Sequence, residues 1–300
     1  MPPITVVGSV NRDLVLTVAD LPRPGETVLA RGFVEGVGGK GANQAVAAAR
    51  LGAQVRLVAR IGADGEPIRR VLAAEGVDLD AVLTAPDATT GIASVVVDRA
   101  GENTIVVNPG ANAVLSVADL PQWLARTPGE VVLVQHEVAA EVVAAAVLRA
   151  REQGGTVVLN PAPARPVDHT VLAAVDVLVP NLGELAALLG AEPVSGPAAA
   201  RELLERADLP CGAVVVTLGA DGALVKQPGR PGVHLPAPVV DAVDTVGAGD
   251  TFCGALADAL ARGADLPAAA ARAVRAASLA VTGLGAQSSM PHAAQLDAVP

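Results

Sequence analysis

Val131-Val-Leu-Val-Gln135, Thr156-Val-Val-Leu-Asn160, Val177-Leu-Val179 and Ala213-Val-Val-Val-Thr217 are β-branched and apolar almost without a break. They lack the apolar–polar alternation of half-exposed strands, as strands covered on both faces do. Alanine-rich helical stretches, such as Glu141–Gln153 and Glu184–Leu189, lie between them. This alternation predicts an α/β fold with a mainly parallel central sheet and helices on both faces. Ligands on such sheets gather at the carboxyl ends of the strands, so the residues just after each run are the first candidates for a site.

The first third of the chain reads differently. Leu14–Val18 and Val28–Val34 flank the turn-rich Leu21-Pro-Arg-Pro-Gly25, and Ile92–Asp98 and Thr104–Asn108 flank Arg99-Ala-Gly-Glu-Asn103, a predicted β-hairpin. These runs are expected to form a small sheet over the strand ends, a lid. It would take in about residues 11–38 and 88–112 of a single domain spanning 1–300. No repeat or long linker divides the chain.

Composition narrows the function. Of 300 residues, 51% are hydrophobic and 17% charged, enough for a sizeable core, and the 1% of aromatics leaves that core to Ala, Val and Leu. A net charge of −10 repels phosphodiester backbones and anionic lipid, which argues against nucleic-acid and membrane-surface partners. Mean hydropathy is +0.47, yet charges interrupt each apolar stretch before it reaches the ~20 residues of a membrane span. Ile4–Val10 has no basic region before it and runs into Asn11, Arg12 and Asp13, unlike a signal peptide. Cys211 and Cys253 make neither a disulfide framework nor a zinc site. A soluble, cytoplasmic protein is expected.

Gly36-Val-Gly-Gly-Lys-Gly-Ala-Asn43 satisfies the spacing of a dinucleotide fingerprint but not its context, since about 28 residues part it from the first strand. It is not a Walker A loop either, because Gly41 follows the lysine. It reads as a flexible turn or as a loop whose N–H groups and close backbone serve a ligand at the start of Ala42–Leu51. Lys40 is one of only two lysines in the chain, and Asn43 falls in the first helical turn, within reach of a ligand there. Asn11 and Asp13, two apart in an extended segment, face the same way. Asp13 accepts two hydroxyl hydrogen bonds and Asn11 both donates and accepts, which suits a vicinal diol; an Asx turn is the alternative.

Asp244-Thr-Val-Gly-Ala-Gly-Asp250-Thr-Phe leads into a helix with Phe252, Ala255, Leu256, Ala259 and Leu260 on one stripe. Asp250 at its start reads as a helix cap or as a functional carboxylate. Gly247-Ala248-Gly249 exceeds what a cap needs and allows consecutive N–H groups to face one anion, with the helix dipole behind them. A carboxylate beside such an anion hole has the parts for phosphoryl transfer. Asn181-Leu-Gly-Glu184 fits a capping box equally with a pair that orients metal-bound water and phosphate. Thr217-Leu-Gly219-Ala-Asp221-Gly222 is a strand-ending turn suited to backbone contact with a nucleotide. Glu137 stands at the ligand end of its strand, and His136 beside it is taken as structural.

Taken together, these residues resemble the PfkB sugar-kinase family over essentially the whole chain, Gly8 to Pro291. Gly38-Gly-Lys-Gly-Ala-Asn-Gln-Ala-Val-Ala-Ala-Ala-Arg-Leu-Gly52 is similar to its N-terminal signature and Asp244–Phe252 to its C-terminal one. The resemblance implies a three-layer α/β/α domain with a β-sheet lid that often serves as a homodimer interface. It implies transfer of the ATP γ-phosphate to a sugar hydroxyl, supported by Mg²⁺ and stimulated by K⁺. It makes Asp250 the catalytic base, with Gly247, Ala248 and Gly249 as anion hole. Sugar contacts fall to Asn11, Asp13, Gly39, Lys40, Asn43 and Glu137, and nucleotide contacts to Asn181, Glu184, Thr217, Gly219, Asp221, Gly222 and Gly249. The positions matching a potassium site are Asp244, Val246, Ala280, Gly283, Gly285 and Ser289. Ser9-Val-Asn11-Arg-Asp13, Gly39–Asn43 and Gln135-His-Glu137 resemble the branch that phosphorylates D-ribose on its 5-hydroxyl, with deoxyribose, a nucleoside or a ketose as alternative acceptors. Gly247, Cys253, Asn181-Leu-Gly-Glu184 and Gly283-Leu-Gly285 depart from that branch's usual residues.

Overall fold

A computed structural model describes residues 1–298. Residues 299 and 300 of the expected 1–300 domain lie outside the described residues. The strands are β1 (Ile4–Val7), β2 (Asn11–Thr17), β3 (Gly32–Gly38), β4 (Val55–Gly62), β5 (Val77–Asp78), β6 (Val82–Ala85) and β7 (Gly91–Val97). They continue with β8 (Asn103–Asn108), β9 (Val131–Gln135), β10 (Thr156–Asn160), β11 (Val177–Leu178), β12 (Ala213–Thr217), β13 (Ala223–Lys226) and β14 (Val233–Leu235). The main helices are α1 (Lys40–Arg50), α2 (Glu66–Ala74), α3 (Ala140–Glu152), α4 (His169–Ala173), α5 (Leu182–Leu189), α6 (Gly196–Arg206), α7 (Ala248–Ala261) and α8 (Leu266–Ala280).

The main sheet runs β14-β13-β12-β11-β10-β9-β1-β4-β5, with β6 beside β4. All its pairings are parallel except β12–β13 and β13–β14 at one edge. Its central strands, β1 and β9 to β11, are buried on both sides. Within β9, Val131 and Leu133 pack toward α1, α2, α7 and α8, while Val132 and Val134 pack toward α3, α4, α5 and α6. The result is the expected α/β/α sandwich, and the second face explains why the runs do not alternate. β1 lies between β4 and β9, so the strand order reverses there and opens a crevice at its carboxyl end.

Small side chains let the helices approach closely. A Cβ on Gly254 of α7 would stand 2.6 Å from Ala47 Cβ and 2.7 Å from the Gln44 carbonyl of α1. That contact sets the first turns of α1 and α7 side by side at the mouth of the crevice. On the opposite face Trp123, the one tryptophan of the chain, packs half-buried against the α3-side core. The Arg56 guanidinium of β4 lies 4.8 Å from its ring centroid, within cation–π range.

The remaining strands form a separate four-stranded sheet, β3-β2-β7-β8, with β2 and β7 parallel and the outer pairs antiparallel. Its hairpin β7–β8 falls where the sequence places it. The first pair differs: β2 begins at Asn11 rather than Leu14, and β3 covers Gly32–Gly38 rather than Val28–Val34. Glycines 36 and 38 read as loop in sequence, but Gly38 pairs with Asn11, and a Cβ there would collide with the Asp13 carboxylate. Every residue of β8 is exposed, including Ile105, Val106 and Val107, as are Phe33 and Val34 of β3. Among the described residues no helix is long and apolar enough to cross a membrane.

Candidate active site

After β1 the chain passes through Gly8, Ser9 and Val10 into β2, which carries Asn11 and Asp13 over the crevice. Asn112 holds this turn. Its Oδ1 accepts from the Val10 N–H at 2.9 Å, and its Nδ2 donates to Asn11 Oδ1 at 2.8 Å. With its oxygen engaged, Asn11 has its NH₂ group to offer a ligand. Asn11, Asn112, Val107, His136, Glu137 and Pro163 line a cavity of about 370 Å³ between β8 and the end of β9. His136 is structural: its Nδ1 lies 3.2 Å from the Pro163 carbonyl, and burial, with Arg165 nearby, pushes its pKa down to about 4.

Asp13 is the least satisfied group here. Its Oδ1 is buried without a hydrogen-bond partner among the described residues. Burial, then the negative charges of Glu137 and Asp250, push its pKa up to about 6. An orphaned buried acceptor points to a hydroxyl-bearing ligand. Glu137 Oε2 accepts from Ser9 Oγ at 2.5 Å and from the Lys40 N–H at 3.0 Å, so Gly39 and Lys40 meet the end of β9 at the start of α1. Asp250 first, then Glu137 and Glu184, hold the Lys40 ammonium above its ordinary value despite burial. Four carboxylates, Asp13, Glu137, Glu184 and Asp250, thus share one neighbourhood with a single lysine.

Asp250 lies in the first turn of α7 and is buried. Gly247, at φ +79°, is the residue that starts this helix, and the Asp250 carboxylate makes no cap. Its Oδ2 accepts from Asn43 Nδ2 and its Oδ1 from Gln44 Nε2, both at 3.0 Å. Asn43, expected at the sugar, is therefore turned to Asp250 with one amide arm, while its Oδ1 accepts from Gln287 Nε2 at 3.0 Å. The N–H groups of Gly247, Gly249 and Asp250 find no acceptor among the described residues, whereas that of Ala248 donates to the Thr245 carbonyl at 3.3 Å. The anion hole expected from Gly247, Ala248 and Gly249 falls on this turn, with the N–H of Asp250 beside it.

Asn181 and Glu184 form the capping box of α5, with Glu184 N–H to Asn181 Oδ1 at 2.7 Å and Asn181 N–H to Glu184 Oε2 at 2.8 Å. Burial raises the Glu184 carboxyl, Asp250 adds to this and Lys40 opposes it. Thr217 pairs with Asn181 in a short parallel bridge. Beyond it the Leu218 N–H closes the turn onto the Gly222 carbonyl at 2.8 Å. Gly219 and Asp221 are exposed and Gly222 is buried. No hydrogen bond joins this turn to Asp250 among the described residues.

Asp244 stitches two loops together, accepting from the Val246 N–H at 3.0 Å and the Gly285 N–H at 2.9 Å. Ser289 Oγ donates to the Gly285 carbonyl at 2.6 Å. The carbonyls of Asp244, Val246 and Gly283 accept no hydrogen bond from the described residues, and that of Ala280 accepts from the Gly283 N–H at 3.3 Å. Free carbonyl oxygens beside a carboxylate fit a hard monovalent cation. Gln44, Asn112 and Gln287 are the residues the sequence reading passed over. The available signal was a glutamine embedded in the alanine-rich α1.

The family model for pfkB family carbohydrate kinases matches residues 1–293. Ribokinase of Haemophilus influenzae is 38% identical over 291 residues, 96% of this chain and 95% of its own. Deoxyribokinase of Salmonella typhi is 37% identical over 302 residues, 98% of this chain and 97% of its own. The structure of Arabidopsis thaliana ribokinase complexed with ribose and ATP superposes with a TM-score of 0.88 at 32% identity, covering 98% of this chain and 97% of that one. The ribokinase-like fold, the two glycine-bearing signatures at the starts of α1 and α7, and these matches place the chain in the pfkB family of carbohydrate kinases.

Proposed function

We propose that the chain is an ATP-dependent ribokinase, giving D-ribose 5-phosphate and ADP, and that it is a single domain with β2, β3, β7 and β8 as its lid. The observation that carries this reading is Asp250: a buried carboxylate, held by two amides, beside free N–H groups at the start of α7. Ribose would lie in the crevice with its ring hydroxyls on Asn11, Asp13, Asn43 and Glu137, and with Gly39 and Lys40 against it. Asp250 would take the proton of the 5-hydroxyl as that oxygen attacks the γ-phosphorus and the bond to the β-phosphate oxygen breaks. The free N–H groups would hold the transferring oxygens. Lid closure would exclude water, a competing acceptor. Asp13 speaks for ribose in particular, since 2-deoxyribose would leave one more buried acceptor without a hydroxyl.

Asn181, Glu184, Thr217, Gly219, Asp221, Gly222 and Gly249 would receive the nucleotide. Among the described residues no cluster of three or more His, Cys, Asp or Glu can hold a metal, which fits magnesium carried on nucleotide phosphates and water, with Asn181 and Glu184 at its edge. When bound, the ion neutralises phosphate charge that the four site carboxylates would repel. Potassium would take the loop of Asp244, Val246, Ala280, Gly283, Gly285 and Ser289. The exposed apolar residues of β3 and β8 support a homodimer through the lid. The free, buried Cys211 and Cys253 support a cytoplasmic, reducing location.

The same chemistry on deoxyribose is the second reading, favoured by the comparable identity of the Salmonella typhi deoxyribokinase. ADP release from MgATP with D-ribose, 2-deoxyribose, fructose and adenosine, with and without potassium, tests both. Ribose preference with potassium stimulation is expected. Preference for another acceptor overturns the pocket assignment, and no turnover with any of them overturns the ribokinase reading in favour of an untested substrate or a protein that only binds.

A further inference from the structure

Gln44 is fully buried in α1, and a polar amide so placed has to be satisfied inside the protein. Its direction is fixed from outside the site. Asn160 Nδ2, at the end of β10, donates to the Val179 carbonyl just beyond β11 at 2.8 Å. Asn160 Oδ1 is thereby the acceptor, and it receives Gln44 Nε2 at 3.1 Å. Gln44 Oε1 must then accept, and it does so from Gln135 Nε2 at the end of β9, at 2.6 Å. The remaining N–H of Gln44 reaches Asp250 Oδ1 at 3.0 Å. The ends of three neighbouring strands thus determine that Gln44 shows Asp250 a donor and never an acceptor. The close packing of α1 on α7 at Gly254 keeps the two within reach.

We infer that Gln44 is a positioning residue for the phosphoryl transfer, acting on Asp250 through this directed chain of amides. The terminal torsion of an aspartate is broad. Gln44 on Oδ1 and Asn43 on Oδ2 together confine the carboxylate to one plane, so its unshared lone pairs face one direction when a hydroxyl arrives. Small misplacement of a reacting group is costly in rate. The inference rests on the reading of Asp250 as the base.

Gln44→Met keeps length and volume but removes the donor. With D-ribose and MgATP, kcat is expected to fall about 10- to 100-fold while the KM for ribose stays within about threefold. Gln44→Glu, which sets an acceptor where the donor was, falls at least as far. A merely structural role would lower Tm and leave kcat of the folded enzyme unchanged. Should Gln44→Met not fold, Gln135→Met, which does not touch Asp250, carries the test: kcat falls about 3- to 10-fold with ribose KM unchanged. A kcat within twofold of wild type in any of these folded variants overturns the inference. Asp250→Asn, measured beside them, separates the two claims: if it keeps turnover, the base reading falls and takes this inference with it. If it is inactive while the Gln44 variants turn over normally, the positioning inference alone falls.

Discussion

On the rim proposed for the acceptor, Asn11, Asn43 and Asp250 are buried, and their side chains bond to Asn112, Gln287, Gln44 or one another. On the rim proposed for the nucleotide, Asn181, Gly219, Asp221 and Gly249 are exposed, and the bonds that shape it are a helix cap and a turn. The first rim is preorganised by side chains, where one wrong hydroxyl leaves a buried group unpaired. The second offers backbone, which a phosphate meets through N–H groups that any residue supplies.

The sharpest break of this contrast is at Asp250. Asp250→Asn is expected to lower kcat by ~10²–10⁴ and to leave ribose affinity, measured by calorimetry, within about threefold; near-normal turnover would remove the base from the acceptor rim. Lys40→Ala comes next: loss of the one ammonium among four carboxylates should raise the KM for ribose by about 10- to 100-fold, read from steady-state kinetics. An unchanged KM for ribose would mean that the rim does not bind sugar.

Asp13→Asn sharpens the comparison through pH. The Asp13 carboxyl titrates near 6 in the folded protein against about 3.9 unfolded. Folding therefore binds a proton between those values, and stability present below pH 4 is lost as pH rises through 6. Asn at that position should stabilise the ligand-free protein above pH 7 by no more than about 3 kcal/mol, with no gain near pH 3, and it should weaken ribose binding. Chemical unfolding at both pH values checks it; an equal effect at both would remove the titration from the account. The smallest effect belongs to the open rim. Asn181→Ala should cost ~1 kcal/mol of stability as a lost cap and raise the KM for ATP less than about tenfold, without moving that for ribose. A loss as large as that of Lys40→Ala would erase the difference between the rims.

What the sequence made legible follows the same division. Buried strands, the starts of α1 and α7 and the capping pair Asn181–Glu184 are written within a few residues of themselves, as apolar runs, glycine loops and a cap spacing. Asp250 stands out because its glycines precede it. Gln44, Asn112 and Gln287 do not, because their partners lie 206, 101 and 244 residues away in the chain. No local pattern marks such pairings. β3 lies four residues beyond the run its sequence predicts because its glycines are poor strand formers, and only pairing with β2 over the Asp13 carboxylate makes them a strand.

Trp123 under the Arg56 guanidinium has a practical consequence. The chain has no tyrosine and one tryptophan, so its near-ultraviolet emission comes from a single indole. That indole sits against the α3-side core, in the layer across the sheet from α1 and α7. Its fluorescence therefore reports the opening of that layer alone, and a change in emission on adding sugar would mean that binding at the crevice is felt through the full thickness of the sheet.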